Sequence, residues 1–366
     1  MGYENQASGT SRSSEGSQEQ EEGGGFFKGC LIVVVVLGLL GIFGSVALVG
    51  MLVAAVASAT PSTAAGPRLR EATVGGRPGA PKIACINVSG VIYGGRGRGG
   101  EISPVSVVTA KIKRAKADKE VRGVLLYVNS PGGEITGSDI LHRAVQQYKK
   151  ESGGQPVVAC MMDVAASGGY YVAAAADHIV AHPTTITGSI GVMMPMYDLS
   201  ELMKMVGVED ETLTTGPYKN LGSPFDRQSE EQEKQEREIL TGIIEEMHAR
   251  FVEIVARGRG MEPEKVRELA DGRIFTGQQA KELGLVDQVG YADAAIQSAK
   301  KLAGIQNAHL VRYQRVVSLG EFLSSLASGP RFSIELPGTT PLSERKSPLF
   351  LWQPEPGSHH KSPGTA

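Results

Sequence analysis

Two stretches of the 366-residue chain, GVLLYVN from Gly123 to Asn129 and PVVACMMDV from Pro156 to Val164, are nearly unbroken apolar runs. A strand that is apolar on both sides has to be covered on both sides, which is the situation of a parallel sheet packed between helices. Between the two runs, Ile140, Leu141, Ala144, Val145 and Tyr148 recur at helical spacing, which supplies the crossover that parallel strands require. IACINVSGVI (Ile83 to Ile92) and HIVAHP (His178 to Pro183) read as further strands. The chain is therefore expected to build an α/β core with helical crossovers.

Around that core the composition changes sharply. Residues 1–28 are dominated by Ser, Gly, Glu and Gln and read as a disordered polar arm, too poor in apolar groups to offset the entropy of ordering. Leu31 to Ala57 carries no charge, and about 20 apolar residues suffice to span a bilayer as a helix, so 29–59 is expected to be a transmembrane anchor. Ala57-Ser58-Ala59 resembles a signal cleavage site, but the run exceeds the roughly 7–15 residues of a signal's apolar region. Lys28 on one side, against Arg68 and Arg70 on the other, leaves the orientation open. A Pro/Gly/Ala linker is expected over 60–81, the α/β domain over 82–328 and a flexible Pro/Ser-rich tail over 329–366. Within the domain, Ile239, Leu240, Ile243, Ile244, Met247, Phe251 and Ile254 mark a long helix whose apolar stripe suits a core or a subunit interface.

A net charge of -2 with no concentrated basic stretch excludes nucleic acid as an expected partner. Cys30, Cys85 and Cys160 form no paired motif, and only His359 and His360 are adjacent among the histidines, so neither a metal nor another cofactor is expected.

The chemistry concentrates in DVAASGGYYVAAAAD. Ser167 lies where an apolar strand ends and a helix begins at Gly168-Gly169, a corner at which free backbone N–H groups point toward an incoming anion. NSPGGEITGSD makes a second strand-glycine-helix junction at Gly132-Gly133. Two such junctions suit the oxyanion of acyl transfer, whereas one alone is commonly a matter of turn geometry. An alcohol needs a base to become a nucleophile. His178 and His182 are candidates, but no aspartate is placed to orient either. Lys219, in TTGPYKNLGSPF, is the alternative; a lysine serves only when burial lowers its pKa, and taken alone this one reads as a solvated surface residue.

In order, VNSPGG, MDVAASGGYYVAAAAD, TTITGSIGV, TTGPYK and GRIFTGQQAKELGLVD resemble the signal peptide peptidase A (protease IV) family, in its short single-copy bacterial form, from Ile83 to about Ile296. The resemblance implies a Clp/crotonase-like fold of repeated ββα units, preceded by one transmembrane helix. It implies a serine peptidase with a Ser-Lys dyad: Ser167 as nucleophile, Lys219 as general base, Ser189 orienting the lysine, and Gly133 and Gly168 as oxyanion donors. It further implies a homo-oligomeric ring in which serine and lysine can come from different protomers, and a catalytic domain outside the cytoplasm on a single-pass membrane protein. The partners implied are the lipid bilayer and peptide substrates, namely remnant signal peptides and unfolded apolar segments. A crotonase-like acyl-CoA enzyme would use the same two glycine junctions without a serine nucleophile, and an inactive membrane scaffold would need neither Ser167 nor Lys219.

Overall fold

The computed structural model of the chain describes residues 33, 35–48, 50–51, 67–95, 102–225, 229–316 and 349–351. The chain divides into two units, Met1–Ser62 and Thr63–Ala366. In the first, residues 35–48 are helical and expose apolar side chains such as Leu40 and Phe43. They form part of the expected anchor, whose two ends lie outside the described residues. Among the described residues no helix is long and apolar enough to cross a membrane. The expected arm 1–28 and most of the expected tail 329–366 also lie outside the described residues.

The second unit begins with β1 (Leu69–Gly76) and β2 (Lys82–Ser89), followed by α1 (Pro104–Ala117), β3 (Val121–Ser130), β4 (Gly132–Glu134) and α2 (Ile135–Glu151). β5 (Val157–Ala166), α3 (Gly168–Ala173), β6 (His178–Ala181) and β7 (Ile186–Gly188) come next. After α4 (Ser200–Met205) and the long α5 (Glu230–Arg259) come α6 (Pro263–Leu269), β8 (Ile274–Thr276), α7 (Gly277–Glu282), β9 (Gln288–Val289), α8 (Ala292–Leu302) and β10 (His309–Arg315). β11 (Leu349–Leu351) is the last described element.

Among the described residues, one mixed sheet of nine strands has the order β1-β10-β2-β3-β5-β6-β9, with β7 attached to β5 and β8 to β7. The central pairs are parallel, as the doubly apolar runs require, while β1 with β10 and β7 with β8 are antiparallel. Alternate residues of the central strands serve two cores. Ala84, Ile86, Leu126 and Ala159 face α1, α2 and the chain around α3, whereas Ile83, Leu125 and Val158 face Ala295 and Ala299 of α8. The α/β core with crossovers is thus the observed one, and β3, β4 and α2 form a ββα unit.

Two departures from expectation lie at the margins. β1 falls inside the stretch read as a linker over 60–81 and is an edge strand of the sheet, with Lys82 bridging to Glu71, Asp118 and Glu120 at 2.8–3.1 Å. Its LREATVGG sequence has no apolar run because its burial is only partial. β11 falls inside the stretch read as a flexible tail and pairs antiparallel with β4.

α5 starts on a capping box, Ser229 with Gln232, opens with Glu230, Glu231 and Glu233, and stops at Gly260 in the left-handed conformation. At 30 residues it is about 45 Å long. Near its end Gly258 passes so close to the chain after α3 that a Cβ there would lie 2.2 Å from the carbonyl oxygen of Ala174. Backbone would have to move, so Gly258→Ala is expected to lower stability by about 1–3 kcal/mol in urea denaturation. An unchanged midpoint would show that α5 is free to slide.

Candidate active site

The upper half of β5 leaves β6 and pairs in parallel with β7, with Ala166 opposite Gly188. The residues that follow, Ser167 and Ser189, are therefore carried side by side out of the same end of the sheet. Ser167 N–H donates to the Gly188 carbonyl at 2.8 Å, and Ser189 N–H donates to the Arg273 carbonyl at 2.8 Å. Both serines have left-handed backbone, φ 52° and 50°, and among the described residues they are the non-glycine residues that do. Such conformations cost about 1–3 kcal/mol each and persist only where the surroundings over-determine them. Here the strand pairing and almost complete burial do so: Ser167 is 1% exposed and Ser189 8%. Neither hydroxyl makes a hydrogen bond to another described residue.

The second junction meets the first directly. The Gly132 carbonyl accepts from Ile92 N–H (2.8 Å), and Glu134 N–H donates to the Ile92 carbonyl (2.7 Å). Strand alternation therefore turns the N–H and C=O of Gly133 the other way. Gly133 has φ +155°, and a Cβ on it would fall 2.1 Å from the Ile92 oxygen. At Gly168 a Cβ would stand 2.4 Å from Ser138 Oγ and 3.3 Å from the Gly133 nitrogen. At Gly133 the clash is with backbone, so glycine there is a packing requirement, and the close approach leaves the Gly133 amide beside the first residue of α3.

Lys219 sits in an exposed turn, its N–H donating to Gly216 at 3.1 Å, and its ammonium has no hydrogen-bond partner among the described residues. The single chain thus brings Ser167, Ser189, Gly133 and Gly168 together and links Lys219 to none of them by a hydrogen bond. The two histidines offered as bases, His178 and His182, are placed elsewhere. His178 pairs with Val158 at the opposite end of β5, roughly 25–30 Å from Ser167 along the strand, and lies 3.8 Å from Asp287. The His182 ring bonds Thr184 at 2.8 Å. Neither His178 nor His182 is therefore placed to complete a Ser-His-Asp arrangement at Ser167.

Sequence reasoning misses the groups that hold the junctions in place. Ser130 Oγ ties β3 to Gly90 (2.6 Å) and accepts from Gly132 N–H (3.1 Å), while buried Ser138 Oγ donates to the Glu134 carbonyl (2.9 Å). Behind them Asp139 of α2 accepts from the Tyr171 hydroxyl of α3 (2.7 Å) and from Arg250 of α5 (2.6 Å). Burial raises the Asp139 pKa, but the Tyr171 hydrogen bond and the Arg250 guanidinium outweigh it and hold the carboxyl below its ordinary range. His142 packs edge-on against Tyr171, where burial, aided by Arg250 and opposed by Asp139, pushes its pKa down to about 4. Asp139 and His142 stand three apart on α2, but no spacing in the sequence links them to Tyr171 or Arg250.

A nucleophile-sized hydroxyl on a strained corner, next to an outward-facing amide, is suited to attack on a carbonyl whose oxygen those amides receive. The comparisons with known proteins point the same way. Residues 149–306 match peptidase family S49 and residues 102–187 match Clp protease. A Methanocaldococcus jannaschii protein bearing a protease name is 38% identical over 64% of this chain and 75% of its own length. An Enterococcus faecium protein bearing a signal peptide peptidase name is 37% identical over 56% of the chain and 58% of its own length. Protease 4 of Salmonella typhi is 33% identical over 63% of the chain, which spans 36% of that longer protein.

The buried imidazole behind the site predicts a pH signature. With His142 titrating near 4 when folded against 6.5 ordinarily, the unfolded chain takes up the proton first as pH falls. Stability should therefore decline between about pH 6.5 and 4. His142→Phe is expected to flatten that segment of a denaturation-versus-pH curve; an unaltered slope would assign the decline to other groups.

Proposed function

The chain belongs to peptidase family S49 and is a serine peptidase, and on that premise we propose that Ser167 is its nucleophile and Lys219 its general base. Ser189 orients the lysine amine, and the N–H groups of Gly133 and Gly168 receive the oxyanion. The observation that carries this assignment is the pairing of Ala166 with Gly188, from which two strained serines emerge beside the Gly133 amide. In the reaction, neutral Lys219 takes the proton of Ser167 as Oγ attacks the carbonyl carbon of an extended peptide. The resulting ammonium protonates the leaving amine, and water, deprotonated by the same lysine, hydrolyses the acyl-enzyme.

Lys219 can act only if it is desolvated, and in the single chain it is exposed. Its surroundings favour burial by another protomer. The segment between β7 and α5 exposes Met205 at 83%, Val206 at 65% and Leu213 at 98%, an unusual density of apolar surface for a monomer. We place Lys219 of one protomer against Ser167 of the next, in a homo-oligomeric ring. The uncharged stretch from Leu31 to Ala57 supports a single-pass anchor, with the peptidase unit outside the cytoplasm. A relative bearing a signal peptide peptidase name supports apolar peptides, such as remnant signal peptides, as substrates.

Ser167→Ala and Lys219→Ala should each cut hydrolysis of a fluorogenic apolar peptide by about 10³-fold or more without changing the fold. Full activity in either purified variant would reject the dyad. Ser189→Ala is expected to lower kcat by about 10–100-fold with little effect on KM, since it positions the base and does not bind substrate. Mixing the two inactive variants should restore part of the activity through sites that combine an intact serine with an intact lysine. Failure of that mixture, with subunit exchange verified, would place both residues in one chain.

A further inference from the structure

The turn that carries Lys219 is pinned to α5 on both sides of the lysine. One residue before it, the Tyr218 hydroxyl donates to the side-chain oxygen of Gln235 at 2.7 Å, and three residues after it, Gly222 N–H donates to Glu236 at 3.4 Å. Gln235 and Glu236 are successive residues in the second turn of α5. Between the two pins the chain is tied to itself. Lys219 N–H donates to the Gly216 carbonyl (3.1 Å), Leu221 N–H to that of Tyr218 (3.4 Å) and Ser223 N–H to that of Asn220 (3.0 Å). A segment closed in this way and held at both flanks has little backbone freedom left, so the point from which the lysine side chain starts is set by α5. The same helix reaches the serine corner, because Arg250 bonds Asp139 and Asp139 accepts from Tyr171 of α3. At 1.5 Å per residue, about 21 Å of helix separates Glu236 from Arg250. One rod holds the lysine turn at one station and braces the serine corner at another.

Glu236 is the unexpected member of this set. It is 8% exposed, and its Oε1 has no partner among the described residues, so the Gly222 amide is the hydrogen bond its carboxyl group makes there. Its neighbours include apolar side chains, with Met196 and Leu240 lining the same cavity. Burying a carboxyl group with so few partners costs stability, and an apolar side chain of similar volume would fill the space without that cost. Packing does not account for a glutamate at this position, whereas holding the Gly222 amide does. We infer that Tyr218, Gln235 and Glu236 are positioning residues of the general base, which fix the Lys219 turn on α5 so that the amine is offered to Ser167 from a defined origin; this rests on the assignment of Lys219 made above. The three residues touch neither the substrate nor the reacting atoms. Their effect belongs to the rate rather than to affinity, because a misplacement of about 1 Å in a reacting group can cost about 100-fold in turnover.

The test uses the full chain and separates stability from turnover. Glu236→Met should lower kcat for the fluorogenic apolar peptide by about 10-fold with little change in KM, while Tm stays the same or rises. Glu236→Gln keeps an acceptor for the Gly222 amide and should bring kcat back to within about threefold of wild type. Tyr218→Phe removes one hydroxyl at an exposed site and should lower kcat by about 3–10-fold. A fall of Tm and kcat together in Glu236→Met, with no recovery in Glu236→Gln, would make the residue a packing element and overturn the inference. Mixed variants show which partner the residue acts through. Ser167→Ala, Glu236→Met mixed with Lys219→Ala should regain about 10-fold less activity than Ser167→Ala mixed with Lys219→Ala, Glu236→Met, because only in the first mixture does the intact lysine stand on an unpinned turn. Equal recovery in the two mixtures would overturn the inference. Should Glu236→Met fail to assemble, or neither mixture be active, kcat of Tyr218→Phe decides in the same sense. Wild-type kcat in Glu236→Met and Tyr218→Phe, with Lys219→Ala inactive, would overturn the positioning and leave the dyad standing. Activity in Lys219→Ala would overturn the dyad and the positioning with it.

Discussion

The close approach of β4 to the start of α3 is the constraint on which the rest of the site depends. A hypothetical Cβ at Gly168 would lie 3.2 Å from Gly132 Cα and 3.3 Å from the Gly133 nitrogen, and one at Gly169 would lie 2.6 Å from the Ser130 carbonyl oxygen, so a side chain at Gly169 would drive the two strand-to-helix junctions apart. The elements around them act as a clamp. β7 holds the end of β5, Asp139 joins α2 to α3 and α5, and Gly258 lets α5 lie on the backbone at Ala174. The strain at Ser167 and Ser189 is of the order of a few kcal/mol in total, and the buried core of β2, β3 and β5 is the large favourable term that sustains it.

What is legible in the sequence follows from how strongly burial writes itself into a segment. β2, β3 and β5 are covered on both faces, so their apolar runs mark their positions to within a few residues, and the stripes of α2 and α5 mark theirs. β1 reads as linker because a partly buried edge strand can be mostly polar. β7 and β8 are illegible for another reason: each is three residues long, and they pair across more than eighty residues of intervening chain. The serine corner and the glycine junctions are visible as local turn chemistry. Their mutual contact is not, since it depends on the way β3 and β5 lie side by side. Lys219 owes its place among the candidates to family resemblance, for its own turn looks like ordinary surface and is exposed.

That contrast divides the site into two mechanical parts. Ser167 and Gly168 follow directly from the end of β5, which β7 holds, and Gly133 is held by the bridge between β4 and Ile92. Lys219 lies on a segment with few backbone hydrogen bonds to the sheet and much exposed apolar surface. Local openings of such a segment cost little compared with global unfolding. The nucleophile and the oxyanion donors are therefore preorganised, while the position of the amine is set by whatever covers the segment that carries it.

The sheet order also bears on the order of synthesis. β10 lies between β1 and β2, yet it is made more than two hundred residues after them. Among the described strands β10 is the sole neighbour of β1. While the ribosome is still translating the middle of the protein, β2 therefore presents one bare flank and β1 has nothing to pair with. Only when residues 309–315 emerge can the gap close. A nascent chain stalled before that point would carry its serine corner on an unfinished sheet with exposed strand edges, vulnerable to aggregation and to quality-control proteases.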